Sequence, residues 1–367
     1  IFLSGYCFIR GTMSEKTLWY VGAGIFLGCA LLSKYFAGLL AIAYFVYLCR
    51  SRRGWLNLII IALCSAPLFA ITIAFNAHHC WSNVMFNMIN RNENTELSFY
   101  TVGEYVLMMI YLITPWVFFK LLRSGGMMAQ RGAIVVLFVV PFSLFLLLSM
   151  EKTIGLHWVL GFMPFLFLFI GTSSSAEDLR KYTKWTAWFA VPHFLFLAAL
   201  ILLPTSMWKD YALHDDIVFH KEAKTIVANL RKDLPPGAAI MARAYTPAAL
   251  LSYHADEYLP TFGQGKFHAR QDDLLVDFKN YAGKTIRIFD RRAINPAELE
   301  PYFSSVTVHT MQVDGMTFWY ADGKDFKYDV YRERILKTVA NLYYRIPSFL
   351  PVYGCGFLER YDLPRPQ

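Results

Sequence analysis

A few polar side chains stand at the ends of long apolar runs, and their types point to anion binding. Lys34 sits in LLSKYF between two apolar stretches; His78, His79, Trp81 and Arg91 fall in FNAHHCWSNVMFNMINRN; Glu151, Lys152, His157 and Trp158 fall in MEKTIGLHW. Fixed cations with imidazoles nearby suit a phosphate, lysine acting as a point charge and histidine as a hydrogen-bond donor. Each has a plainer alternative. Lys152 also fits an interfacial lysine whose head snorkels to water, and His78, His79 and Trp81 also fit an aromatic belt at the headgroup level. Lys34 is harder to explain structurally, because a lysine left at the bilayer centre costs at least ~2.5 kcal/mol. His193 lies inside an apolar run and reads as a packed or helix-bonded residue.

The elements that must carry these groups are membrane helices. Of 367 residues, 56% are hydrophobic and only 17% charged, against about 25% charged in a soluble domain. Apolar windows at 17–33, 35–49, 55–75, 101–122, 132–150, 156–172 and 185–204 follow an N-terminal stub, and several approach the ~20 residues needed to cross a hydrocarbon core. The stub IFLSGYCFI carries no signal-peptide features, and the natural protein is expected to begin upstream of Ile1.

Positive charge assigns the faces. Arg10, Lys16, Arg50, Arg52, Arg53, Lys120, Arg123, Arg131, Arg180, Lys181 and Lys184 fall on one side of a single alternating path, and Lys34, Arg91 and Lys152 on the other. The first side is therefore cytoplasmic. The Lys34 turn, the loops 76–100 and 151–157 and everything after Pro204 lie outside, which in a bacterium is the periplasm. The net charge of +8 follows from this topology and implies no nucleic-acid partner.

After Pro204 charges become frequent. AAIMARAY (238–245) and TIRIFD (285–290) read as strands; TPAALLSYHA, QDDLLVDFKNYAG and NPAELEPYF read as helices; SSVTVHTMQVDGMTFWYADG reads as a hairpin turning at Asp314-Gly315. The expected organisation is a multipass membrane domain over 1–204, a small periplasmic α/β domain over 205–326, and a helix with an irregular tail over 327–367. Asp272 and Asp273 open a helix, where carboxylates favour the dipole without catalytic duty. Gly263-Gln264-Gly265 has neither the further glycine of a dinucleotide loop nor a lysine in the P-loop pattern. No metal site, cofactor or disulfide framework is expected: Cys7, Cys29, Cys49 and Cys64 lie in apolar runs, and pairing of Cys80 with Cys355, the two in polar context, is not anticipated.

The stretch GIFLGCALLSKYFAGLLAIAYFVYLCRSRRGWL, then PLFAITIAFNAHHCWSNVMF, then EKTIGLHWVLGFMPFLFLFIG, resembles the polyprenyl-phosphate-sugar-dependent membrane glycosyltransferases, GT-C relatives of the protein mannosyltransferases and of the lipid A aminoarabinose transferase. The likeness covers roughly 15–205. It implies a multipass inner-membrane enzyme of GT-C fold that moves a hexosyl or pentosyl group from a polyprenyl-phosphate donor to a lipid, glycan or protein acceptor on the periplasmic side. It also implies donor-site roles for Lys34, His79, Trp81, Lys152 and His157; His78 and Arg91 join them as substrate-binding candidates on the residue reading. The family's catalytic carboxylates are expected upstream of Ile1, so the catalytic residues are unassigned, and Glu93, Glu96 and Glu104 are auxiliary at most. Two other readings compete. A non-catalytic anchor presenting the outer domain would tolerate changes at Lys34, Lys152 and His157. A transporter would show broken helices, repeats and intramembrane charges.

Overall fold

The computed structural model describes residues 1–90, 97–264 and 271–366. Contacts divide the chain into two compact units, one of 1–75 and 94–194, the other of 76–93 and 195–367. In chain order the first half contains α1 (Phe2–Ser14), α2 (Thr17–Ser33), α3 (Gly38–Leu48), α4 (Arg52–His78), α5 (Ser82–Val84) and α6 (Phe99–Ile113). It continues with α7 (Pro115–Leu122), α8 (Gly125–Gln130), α9 (Gly132–Leu148), α10 (Leu156–Val159), α11 (Met163–Ser173) and α12 (Ala176–Leu202).

The first unit is an apolar helix bundle. Small residues let its helices approach closely. A Cβ at Gly24 would lie 2.6 Å from Ile61 O, and one at Gly28 would lie 2.9 Å from the Leu68 side chain, so the Gly24-x-x-x-Gly28 face of α2 packs directly on α4. One buried polar knot ties three helices: Ser4 Oγ donates to Ala23 O at 2.8 Å and lies 2.7 Å from the Tyr44 hydroxyl. Phe8 stacks on Tyr44 with ring centroids 4.3 Å apart.

α4 and α12 each have 27 residues and are long and apolar enough to cross a bilayer; at 1.5 Å per residue each reaches about 40 Å. α12 starts earlier than the apolar window suggests, because Ser175 Oγ caps the Asp178 N–H at 3.1 Å and Glu177 and Asp178 occupy its first turn. Two expected spans are broken. The window 101–122 becomes α6 and α7, bent by 102°, where Thr114 has φ 72° and Pro115 follows with no N–H to offer. The window 156–172 becomes α10 and α11, the second starting with a proline in its first turn.

The second unit holds a four-stranded sheet, with α13 (His214–Lys221) and α14 (Ala223–Arg231) ahead of its first strand. The strands β1 (Ala239–Ala242), β2 (Ile286–Asp290), β3 (Ser305–Val313) and β4 (Met316–Lys324) run in the order β1-β2-β4-β3. β1 and β2 are parallel and the other pairs antiparallel. α15 (Tyr245–Ala255) lies in the crossover from β1 to β2. The β3–β4 turn places Asp314 at φ 50° and Gly315 at φ 82°, the two positive angles of a tight hairpin turn.

Apolar residues of α13, α14 and α15 cover one face of the sheet over Phe289 and Phe318. Residues after β4 cover the other, with Tyr331, Tyr344, Phe357 and Tyr361 buried over Ile286, Ile288 and Ala321. Both elements around 271–303 are more broken than expected. QDDLLVDFKNYAG forms α16 (Gln271–Leu275) and then a 3₁₀ turn, Phe278–Tyr281, capped by Asp277 accepting from the Lys279 N–H. NPAELEPYF forms two 3₁₀ turns, since each has a proline at its first or second position that cannot donate to a continuous helix. After β4 come α17 (Tyr328–Tyr331), a π-helical turn, α18 (Lys337–Tyr343), an irregular stretch and α19 (Gly356–Arg360).

One expectation is overturned: Cys80 and Cys355 form a disulfide, across a sequence separation of 275. Both lie in the second unit.

Candidate functional site

Lys34 owes its position to the way α2 stops. The Lys34 N–H closes the last turn on Ala30 O at 2.8 Å, the residue itself is extended at φ −162°, and a 3₁₀ turn, Tyr35–Ala37, starts the return into α3. The side chain thus leaves the apex of a helical hairpin and is exposed. Its Nζ donates to His157 O at 3.4 Å.

His157 is presented by a buried neighbour. Trp158 packs on Phe36, with ring centroids 4.7 Å apart, and on Phe145 at 6.3 Å. That anchor leaves the adjacent His157 side chain exposed in the first turn of α10. Gly155, two residues earlier, leaves room for the ring: a Cβ there would lie 2.9 Å from the imidazole Cε1 and 3.2 Å from the Trp158 Nε1. Lys152 is half-buried on the same loop. The loop is pinned to α6 at two points: Ser98 N–H donates to Met150 O at 2.7 Å, and Thr153 Oγ1 donates to Glu104 Oε2 at 3.4 Å.

The structure therefore brings Lys34 and His157 together at one end of the first unit, with Lys152 on the loop that carries His157. Thr153, which ties that loop to Glu104, was not among the sequence candidates; a lone threonine carries no sequence signal of such a role. The arrangement offers an ammonium and an imidazole to an anion. His193 is bonded within α12, its Nδ1 lying 2.8 Å from Phe189 O, and its Nε2 meets the Tyr111 hydroxyl.

His78 and His79 belong to the second unit. His78 ends α4, is exposed, and its ring lies 5.7 Å from that of Tyr353. His79 is half-buried and bridges to Cys355 as an isolated antiparallel pair. Arg91, Glu93 and Glu96 lie outside the described residues. Asp272 and Asp273 are buried: the Tyr258 hydroxyl donates to Asp272 Oδ1, and the Tyr344 hydroxyl donates to Asp273 Oδ2 at 2.7 Å. Among the described residues no three histidine, cysteine, aspartate or glutamate side chains converge as metal ligands would.

Residues 1–81 match the family model of dolichyl-phosphate-mannose-protein mannosyltransferases. The matched stretch contains the Lys34 hairpin, the whole of α4 and the two histidines at its end. It supports a membrane-embedded helical domain and, in general terms, membrane glycosyltransferase activity. No curated protein and no solved structure matches the chain.

Proposed function

We propose that this chain is a membrane glycosyltransferase that takes a hexosyl or pentosyl group from a polyprenyl-phosphate-linked donor and transfers it to a lipid, glycan or protein acceptor at the outer face of a bacterial inner membrane. The observation that carries the reading is the meeting of Lys34 and His157, since the apex lysine of the family-matched hairpin lies against the loop that holds the exposed imidazole. Glycosyl transfer from a phosphate needs a carboxylate to take the acceptor proton and cations to stabilise the departing phosphate. Lys34 supplies a fixed charge and His157 a donor for that phosphate. Lys152, His78, His79 and Arg91 are further substrate contacts in this reading.

The disulfide supports the placement of the second unit outside the cytosol, because disulfides persist in oxidising compartments. It also constrains topology. Two residues joined on one side of a membrane are separated by an even number of crossings. The four apolar windows between Cys80 and Cys355, 101–122, 132–150, 156–172 and 185–204, give that even number when each of them crosses.

The test of function is transfer from a radiolabelled polyprenyl-phosphate sugar by the purified, reconstituted protein. Release of polyprenyl phosphate that depends on Lys34 and His157 is expected. Full turnover in Lys34→Ala and His157→Ala removes the assignment. For topology, a reporter fused after Pro204 should be active only in the periplasm, and cytoplasmic activity refutes the placement.

A further inference from the structure

The irregular stretch between α18 and α19 is fastened to the end of α4 and to the three residues that follow it. Tyr353 N–H donates to Ala77 O at 2.9 Å, Cys80 N–H donates to Gly354 O at 3.4 Å, and the Trp81 indole donates to Pro351 O at 2.7 Å. Cys355 pairs with His79 as a β-bridge and with Cys80 as a disulfide. The inward side chains are Ile346, Leu350 and Val352, which pack on Ala77, Trp81 and Met85. The outward ones are aromatic: Phe349 is 80% exposed and Tyr353 is 73% exposed. Pro347 and Pro351 keep the segment out of helix and strand.

Two large exposed aromatics on a stretch held this firmly need a cover. α4 supplies the argument for which one. At 27 residues it exceeds the hydrocarbon thickness, so its last turn, where the strap is bonded, stands at the membrane–water boundary. A phenol, apolar in its body and polar at its tip, is favoured at that depth, and the phenyl ring of Phe349 gains by leaving water for the acyl-chain boundary. We propose that residues 346–355 form an aromatic strap lying in the headgroup layer beside the end of α4, with Phe349 and Tyr353 in contact with phospholipid. The partner is the bilayer surface, and the proposal rests on α4 spanning the membrane, not on glycosyl transfer.

Photocrosslinking tests it in the full chain, reconstituted into vesicles of phosphatidylethanolamine and phosphatidylglycerol. p-Benzoylphenylalanine replaces Phe349 in one variant and Tyr353 in another, and a non-reducing gel reports whether Cys80 and Cys355 remain joined. The expected result is a C-terminal peptide heavier by one phospholipid at both positions. Adducts to protein alone, or none, with the disulfide intact, overturn the strap. A second measurement needs no substitution. In the same vesicles Phe349 and Tyr353 should resist hydroxyl-radical oxidation, whereas oxidation of Tyr353 at the rate of Tyr253, which is 78% exposed, overturns the proposal even where the substituted chains fail to fold. Either overturning result leaves the transfer activity itself untouched.

Discussion

Replacing Lys34 with alanine separates a structural lysine from a substrate-binding one. In the structure the ammonium is exposed and its hydrogen bond to His157 O is long, at 3.4 Å. Exposed contacts of this kind contribute within about 0.5 kcal/mol to stability, so Lys34→Ala should melt with the parent protein. A charge-assisted hydrogen bond to a donor phosphate contributes about 1.5–3 kcal/mol, which corresponds to a loss of roughly 10- to 150-fold in kcat/KM for the lipid-linked donor. Lys34→Arg should recover part of this by restoring the charge, though not all, because a planar fork replaces a point charge. The assay is steady-state transfer at varied donor concentration, with thermal unfolding of each variant run in parallel. Unchanged kcat/KM in Lys34→Ala refutes the phosphate contact. A loss of activity that tracks an equal loss of thermal stability refutes it too, because it makes Lys34 a structural residue.

Three further outcomes follow from the packing. In the second unit Arg287 is 3% exposed and forks onto Asp322 through Nε at 2.7 Å and Nη2 at 2.8 Å, while Nη1 donates to Leu230 O and Lys232 O; the pairing with Asp322 holds its pKa above the ordinary arginine value. Asp322→Ala leaves that charge buried and should cost about 3–5 kcal/mol in urea unfolding, and a change below 1 kcal/mol (about a fivefold shift in the folding equilibrium) contradicts the burial. Burial pushes the Tyr361 phenol above its usual value, so its contribution to stability is whole below pH ~10 and is lost as pH rises from there through the folded-state pKa. Tyr361→Phe should therefore flatten the alkaline limb of stability while costing about 1–2 kcal/mol at neutral pH, by losing the bond to Val276 O and the acceptor for the Phe278 N–H; an unchanged alkaline limb refutes the phenol's part in it. Gly24→Val drives a Cβ to 2.6 Å from Ile61 O, and the resulting strain should lower stability in detergent by at least about 1–3 kcal/mol, whereas an unchanged melting curve means α2 and α4 are not packed closely there.

Local patterns made much of this chain legible, and the illegible parts share one physical cause. Apolar windows located α2, α3, α4 and α9, and the Asp314-Gly315 dipeptide located the β3–β4 turn, because each signal sits within the residues that fold. The breaks at Thr114-Pro115 and before α11 were visible only as prolines in apolar runs, a weaker signal than the hydropathy that masked them. Lys34 and His157 could be singled out one by one from their surroundings, but 123 residues separate them, and nothing local says that the loop after α9 reaches the turn after α2. Cys80 and Cys355 lie further apart still, and each looks isolated in its own stretch. Their bond changes how the end of the chain is understood. A tail of prolines and aromatics reads as irregular when taken alone, yet its inward residues complete the packing around Ala77, Trp81 and Met85. Tyr344, Phe357 and Tyr361 from the same region are buried under the sheet. The residues at the end of α4, including both candidate histidines, are thus held by residues 346–355, far away in the sequence. A truncation before Ile346 would remove the partners of Ala77, Cys80 and Trp81 together.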